Sequence, residues 1–369
     1  MTFAVIAGGG TAGHVVPALA IGQALVARGH DPSTLHYVGS SRGIESRLVP
    51  PAGFPLTLLP GRGIERRLSA ESIGAAWGLA GASTQALRLV RDLQPAVVVS
   101  VGGYASVPCA LAAALLRVPV VVHEQNAVPG AANRMTGRFA RACAVSYPGT
   151  DLPRSTVTGN PVRPEILAVE RTAEGRAAAR QVLGLPQDRP VVGIFGGSLG
   201  SLTINRAVLD ALPRWSEQSN LAVRHVVGER DWEMVSAELG TRPAGGFVYQ
   251  PVRYEERMDL LLAAADLMVC RAGGNTVAEL AAVGAPAVLV PLPNAPGDHQ
   301  TANARVLDEA GAAVLVPDPQ VDGVRLAWEV DRLLEDPDRL AAMSQAAARL
   351  GRRDAADAVA ALVEEHARE

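Results

Sequence analysis

Three glycine-rich turns carry the residues best able to do chemistry. The first, Gly8-Gly9-Gly10-Thr11-Ala12-Gly13-His14, follows the strand-like run Phe3–Ala7 and precedes the helical stretch Pro17–Arg28. Glycine permits a tight turn, and the helix start behind it presents backbone N–H groups to a diphosphate or a pyranose phosphate. Gly8, Gly10 and Gly13 match G-x-G-x-x-G. A dinucleotide site also needs an acid after the second strand, whereas Val38 is followed by Gly39-Ser40-Ser41-Arg42. A nicotinamide or flavin site is therefore not expected. His14 projects near the same mouth, as a base or as a hydrogen-bonding partner of a sugar hydroxyl. In the second turn, Gly196-Gly197-Ser198-Leu199-Gly200, Ser198 can cap the helix beginning near Leu202 and donate to a phosphate oxygen. The third, Cys270-Arg271-Ala272-Gly273-Gly274-Asn275-Thr276-Val277-Ala278-Glu279, runs from a strand end into a helix whose N–H groups can cradle a phosphate. Glu279 lies about one helical turn inside. A diphosphate would repel it, so it suits the adjacent hydroxyls of a ribose.

Polar islands interrupt the apolar strands. His123-Glu124-Gln125-Asn126 follows Pro119–Val122, and Gly102-Gly103-Tyr104-Ala105-Ser106 follows Val97–Ser100. Asp298-His299-Gln300 with Asn303 forms another, and Gly159-Asn160-Pro161-Val162-Arg163 places an arginine at a domain boundary. Four polar residues at the carboxyl end of a buried strand are hard to explain by packing and easy to explain as a surface for a hydroxyl-rich ligand. No metal site emerges: the one D-x-D, Asp336-Pro337-Asp338, reads as a loop and helix start. No serine or cysteine sits in a nucleophile elbow.

These residues need elements to position them. The 369 residues suggest two domains, and 48% apolar with 19% charged residues describes a folded chain. Strand runs alternate with Ala/Leu-rich helical stretches: Phe3–Ala7, Thr34–Val38, Leu56–Leu59, Ala96–Ser100, Val118–Val122 and Ala142–Val145, then Val191–Phe195, Leu221–Val227, Gly246–Tyr249, Leu267–Cys270, Ala287–Val290 and Ala313–Val316. This rhythm predicts an α/β fold of two doubly wound domains, with a ligand crevice beyond the carboxyl ends of the strands. All 34 basic residues are arginine, which excludes a Walker-A lysine and a Schiff-base lysine. Residues 1–164 carry a net +7 and residues 165–369 a net −10, so the first half favours an anionic partner. Three widely spaced cysteines suggest a reducing compartment. No leader is read, since the N-terminus runs directly into Phe3–Ala7, and no apolar run approaches the ~20 residues of a bilayer span.

Together these stretches resemble the peptidoglycan transferases that add N-acetylglucosamine to undecaprenyl-diphospho-muramoyl-pentapeptide. The resemblance rests on GGTAGHVVPALAIGQAL (9–25), VGGYASVP (101–108), VVVHEQNAVPG (120–130), GNPVR (159–163), FGGSLGSLTIN (195–205), CRAGGNTVAEL (270–280) and DHQTANA (298–304), in the family's order over nearly the whole chain. It implies two Rossmann-like domains facing across a cleft, the glycosyltransferase type-B arrangement. Residues 1–163 would be on the acceptor and membrane side and 164–340 on the UDP-N-acetylglucosamine side. A C-terminal helix over 341–369 would pack back toward the first domain. By similarity, Thr11, Ala12 and Gly13 border the nucleotide-sugar, Asn126 lies by the sugar, and Arg163 and Ser198 meet the diphosphate. Gly274, Asn275, Thr276 and Glu279 hold the nucleotide, with Glu279 on the ribose and Gln300 near the sugar. A backbone contact to uracil comes from near Glu255. Two positions depart from the family pattern: Ala12 stands where glycine is usual, and Tyr254-Glu255-Glu256 where the segment is more apolar.

The implied reaction is inverting hexosyl transfer from UDP-N-acetylglucosamine to the muramoyl 4-hydroxyl, forming lipid II and UDP in peptidoglycan synthesis, and so in cell-wall biogenesis, cell shape and division. His14 is the expected base and Glu124 the second choice. No cofactor is essential, and a divalent cation is at most stimulatory. Besides its two substrates, the expected partners are an anionic membrane surface and other cell-wall synthesis proteins, not nucleic acid. The expected place is the cytoplasmic side of the cell membrane, as a peripheral protein. The candidate membrane surface is Arg62, Arg66, Arg67, Arg88 and Arg91 around Leu68, Ile73, Trp77, Leu79 and Leu87. The alternatives are another type-B UDP-sugar glycosyltransferase and a UDP-N-acetylglucosamine 2-epimerase.

Overall fold

Parallel strands buried on both faces need no polar side, so they form from near-continuous runs of valine, isoleucine, leucine and alanine. The computed structural model describes residues 2–41, 43–60, 71–197, 199–218, 220–238 and 247–368, with the backbone alone over 71–80 and at 218. The chain divides into two compact units, Met1–Arg163 with Arg352–Glu369, and Pro164–Gly351.

The first unit holds β1 (Ala4–Ala7), β2 (Leu35–Ser40), β3 (Leu56–Leu59), β4 (Val97–Ser100), β5 (Val120–Glu124), β6 (Ala142–Val145) and β7 (Ser155–Val157). All pair in parallel in the order β3-β2-β1-β4-β5-β6-β7. Ala4 of β1 faces Leu35 on one side and Val97 on the other, which sets the central register. The helices are α1 (Ala12–Ala27), α2 (Glu45–Leu48), α3 (Glu71–Leu93), α4 (Ser106–Leu115) and α5 (Ala131–Gly137). One core joins Ile6, Ile21, Leu25 and Leu35, and a second, on the alternate strand residues, joins Val5, Val38, Val98 and Val122.

The second unit repeats the plan. Its helices are α6 (Pro164–Leu167), α7 (Ala173–Leu183), α8 (Leu202–Gln218), α9 (Trp232–Glu238), α10 (Met258–Ala264), α11 (Gly274–Val283), α12 (His299–Glu309), α13 (Gly323–Leu334) and α14 (Pro337–Leu350). Its strands are β8 (Val191–Phe195), β9 (Ala222–Val226), β10 (Val248–Val252), β11 (Leu267–Cys270), β12 (Ala287–Leu289) and β13 (Ala313–Leu315), ordered β10-β9-β8-β11-β12-β13. Asp336 caps α14 by accepting from the Arg339 N–H at 2.9 Å, and Pro337 begins the helix, so the D-x-D is a helix start.

Three sequence expectations are corrected. The C-terminal stretch is two helices. α14 packs on α11 in the second unit, while α15 (Ala355–His366) packs on α1 in the first. The break falls at Gly351, where any Cβ would press on the Ala281 carbonyl. α15 is held by chemistry as well as packing. Val359, Ala360, Leu362 and Val363 join the core of Ile6 and Leu25, and Arg28 donates to Glu364 and Asp357 at 2.7–2.9 Å. Second, the first sheet gains a strand beyond the six expected: β7 is three exposed residues at a sheet edge, with no apolar pattern. Third, the strand expected over Gly246–Tyr249 is Val248–Val252, and Gly246 lies outside the described residues.

Candidate functional site

In the first unit the candidate residues stand at the carboxyl edge of the sheet. Positive φ is confined to Gly8, Gly9 and Gly10 in the first turn, while Thr11 is extended (φ −135°) and stands at the start of α1 without a side-chain cap. Ala12 is the first helical residue, so alanine there costs no backbone strain. Gly9 N–H donates to the Gly102 carbonyl at 3.2 Å, which locks the first turn to the turn after β4. A Cβ on Gly102 would sit 3.0 Å from the His14 ring, so the glycine there makes room for the imidazole. His14 Nδ1 lies 3.3 Å from Thr11 Oγ1. His123, within electrostatic reach of His14, is fully buried; desolvation pushes its pKa down to about 4.

Glu124 ends β5 and is 1% exposed. Oε1 accepts from the N–H and the side-chain amide of Asn126 at 2.9 and 3.1 Å. Oε2 accepts from Gly130 N–H and Asn133 Nδ2, each at 2.9 Å. The loop from 125 to 130 is thus folded around one carboxylate, and Asn126 is held by it. Arg163 is half-buried at the last position before the second unit.

In the second unit the loops after β8, β10, β11 and β12 share the carboxyl edge. Gly274, Asn275 and Thr276 form the first turn of α11, and Gly273 before them makes no side-chain cap, so their N–H groups meet no intrahelical carbonyl. Glu279 follows, half-buried, close enough to Cys270 that its charge joins burial in raising that thiol's pKa. The Gln300 carboxamide oxygen accepts from Ala272 and Leu292 N–H at 3.2 and 2.9 Å, which leaves its amide nitrogen as the end that can donate to a ligand. Glu255, in the loop from β10 to α10, has its carboxylate on Arg224 Nε at 2.7 Å and on Arg257 N–H at 3.1 Å. Its side chain is engaged, so a contact to a base falls to its backbone. Ser198 lies outside the described residues.

The sequence reading missed two supporting networks here. Arg271 donates to the carbonyls of Val290 and Pro291 and pairs with Asp318 at 2.5 Å, while Asp318 accepts from Thr203 at the start of α8. The turn after β11 is thus tied to the loop after β13, and through Thr203 to the start of α8. Asn205 on α8 donates to the Val227 carbonyl and to Asp231, so its Oδ1 must accept from His225 Nε2 at 3.0 Å. His225 Nδ1 then accepts from the Tyr249 hydroxyl at 2.8 Å. Burial pushes the His225 pKa down to about 3, so the ring is neutral, as this tautomer requires. Paired asparagine and histidine in otherwise apolar segments were the available signal.

Among the described residues no three His, Cys, Asp or Glu gather in a way that could hold a metal ion, and no helix is long and apolar enough to cross a membrane. The cysteines are buried and unpaired.

Residues 4–145 match the glycosyltransferase family 28 N-terminal domain, and residues 191–359 match the family 28 C-terminal domain. Fold and site define a family 28 glycosyltransferase with the type-B architecture. The chain is 40% identical over 370 residues to the UDP-N-acetylglucosamine–N-acetylmuramyl-(pentapeptide) pyrophosphoryl-undecaprenol N-acetylglucosamine transferase of Desulforudis audaxviator, covering 98% of this chain and 97% of that one. It is 43% identical over 364 residues to the enzyme of the same name from Acidothermus cellulolyticus, with 98% and 97% covered. The crystal structure of MurG from Acinetobacter baumannii superposes with a TM-score of 0.77 at 29% identity, covering 99% of this chain and 100% of that one. The chain belongs to the family of UDP-N-acetylglucosamine–N-acetylmuramyl-(pentapeptide) pyrophosphoryl-undecaprenol N-acetylglucosamine transferases. That membership separates it from the epimerase reading.

Proposed function

We propose that the protein transfers N-acetylglucosamine from UDP-N-acetylglucosamine to the 4-hydroxyl of undecaprenyl-diphospho-N-acetylmuramoyl-pentapeptide (lipid I), giving lipid II and UDP in peptidoglycan synthesis. The observation that carries this is identity of 40–43% to enzymes of that name over 98% of the chain. The donor is α-linked and the product β-1,4-linked, so one displacement inverts the anomeric carbon. The bond from O4 to C1 forms, the bond from C1 to the diphosphate oxygen breaks, and the hydroxyl proton goes to a base.

His14 is that base in our reading. With Nδ1–H donated to Thr11 Oγ1, Nε2 carries the lone pair that takes the proton. Glu124 is assigned to positioning instead. Its four donors already occupy both oxygens, and its work is to hold Asn126 beside the sugar. The uncapped N-terminus of α11, with Arg163 and Ser198, would stabilise the charge that grows on the departing diphosphate. Glu279 would take the ribose hydroxyls, Gln300 the sugar, and the backbone near Glu255 the uracil. Thr11, Ala12 and Gly13 would border the nucleotide-sugar.

A lipid-linked acceptor requires a membrane face, and we place the protein on the cytoplasmic one. Much of the surface expected around Arg62–Arg91 lies outside the described residues. Arg88 and Arg91 are exposed, while Leu87 packs into the core. Beside α3, helix α4 exposes Leu111 and Leu115, the latter 75% exposed, and α5 and its end expose Met135 and Phe139. Arg117, Arg134, Arg138 and Arg141 are exposed around them. Apolar side chains among arginines suit the headgroup region of an anionic leaflet. Binding to anionic vesicles should fall with salt; equal binding to neutral vesicles would defeat this surface.

The test of the reaction is transfer of radiolabelled N-acetylglucosamine to a short-chain lipid I analogue, with a no-acceptor control and a chelator control. Acceptor-dependent transfer that survives the chelator is expected. Donor consumption without acceptor would overturn the proposal.

A further inference from the structure

Glu45 opens α2, five residues beyond the end of β2, and is 2% exposed. Its Oε1 accepts from the N–H of Gly10 at 2.8 Å and of Ser40 at 2.9 Å. Three glycines close around the same side chain: a Cβ on Gly9, Gly39 or Gly43 would collide with Glu45. Oε2 is buried and bonds to no described residue. A glycine turn between a strand and a helix ordinarily offers its N–H groups to a ligand's phosphate. In this turn a carboxylate of the protein itself fills the Gly10 N–H from behind. Burying a carboxylate is costly unless it is hydrogen-bonded, so Glu45 and the three glycines form one device.

We infer that Glu45 is a positioning residue for the transfer proposed above, and the inference rests on that reading. Its oxygen fixes the turn that carries Thr11–His14, and its negative charge makes that turn a poor seat for a second anion. The first turn therefore meets uncharged sugar: the acceptor ring that bears the reacting hydroxyl and the donor sugar that Thr11–Gly13 border. Diphosphate binding falls to the second unit, where the start of α11 has no side-chain cap.

The test uses the full chain, UDP-N-acetylglucosamine and a short-chain lipid I analogue. Glu45→Ala should lower kcat about a hundredfold while leaving the donor KM within about twofold, since a misplaced base costs turnover and not donor binding. Formate, which can occupy the vacated cradle, should restore at least about a tenth of the loss in a saturable way. Glu45→Gln keeps the accepting oxygen and loses the charge. It should fall only about fivefold in kcat, yet bind inorganic pyrophosphate at least about tenfold more tightly by calorimetry, in competition with the acceptor. Unchanged kcat in the alanine variant, a loss that formate does not relieve, or unchanged pyrophosphate affinity in the glutamine variant would each overturn the inference. If the alanine variant does not fold, the glutamine variant decides alone. Failure of the wild type to transfer would strike the reaction instead, and the calorimetry would still decide whether Glu45 excludes anions.

Discussion

The two sheets share a strand order, β3-β2-β1-β4-β5-β6 in the first unit and β10-β9-β8-β11-β12-β13 in the second, yet their glycine turns are finished in opposite ways. Behind the first turn of the first unit sits a buried carboxylate, Glu45, already bonded to Gly10. At the turn after β11 the helix start has no side-chain cap, and the turn carries a buried guanidinium, Arg271, paired with Asp318. In our proposal the same backbone scaffold makes a turn fit for hydroxyls in one unit and a turn fit for phosphate in the other. The difference proposed is the buried carboxylate on the first turn, which disfavours a second anion there.

The comparison can be broken most sharply at His14. His14→Ala should lower kcat by about 10²–10⁴-fold while UDP affinity, measured by calorimetry, stays within about twofold. Equal losses of both would mean that the first turn binds the nucleotide and that the division of labour is wrong. Next in size is removal of residues 352–369. Val359, Ala360, Leu362 and Val363 leave the core of Ile6 and Leu25, a loss of at least about 4 kcal/mol. Calorimetry should show the first unit's transition shifted far down and the second's unmoved.

Acidification should instead treat the units alike, because each buries one neutral histidine. Unfolded histidine takes its proton near pH ~6.5, but folded His123 only at about 4 and folded His225 at about 3. The unfolded state therefore binds more protons in this window, and stability falls as pH drops below 6.5. Between pH 7 and 5 each histidine should remove about 2 kcal/mol, read from urea midpoints. A transition that does not move would contradict the buried neutral ring in that unit. The smallest effect is expected at Glu279. Glu279→Gln should raise the KM for UDP-N-acetylglucosamine about tenfold, with kcat and the acceptor KM nearly unchanged.

Much of this architecture could be read in the sequence, for a physical reason. Buried parallel strands such as Val97–Ser100 and Val191–Phe195 are short, mostly apolar runs that lead into glycine turns. β7 escaped because an exposed edge strand of three residues has no pattern to read. The split between α14 and α15 escaped because apolar periodicity continues on both sides of Gly351. In the site, the turns and polar islands were legible, since polar residues at buried strand ends need a ligand or a partner. Their supports were not. Glu45 stands five residues past its strand, beyond where an acid is sought. Its partner glycines, Gly39 and Gly43, show their purpose only once the side chain lies between them. Asp318 and Thr203 meet Arg271 from distant loops, a pairing no local spacing announces.

The return of α15 to the first unit also orders the birth of the molecule. The first sheet leaves the ribosome early, but the helix that covers Ile6, Leu25 and Leu35 is made only after the whole second unit. At ~5–20 residues per second, that interval lasts roughly 10–40 s. Throughout it the nascent first unit shows an oily flank to whatever surrounds it. The second unit, contiguous in sequence, can finish first. The half of the enzyme translated earliest is thus completed last, when residues 352–369 arrive.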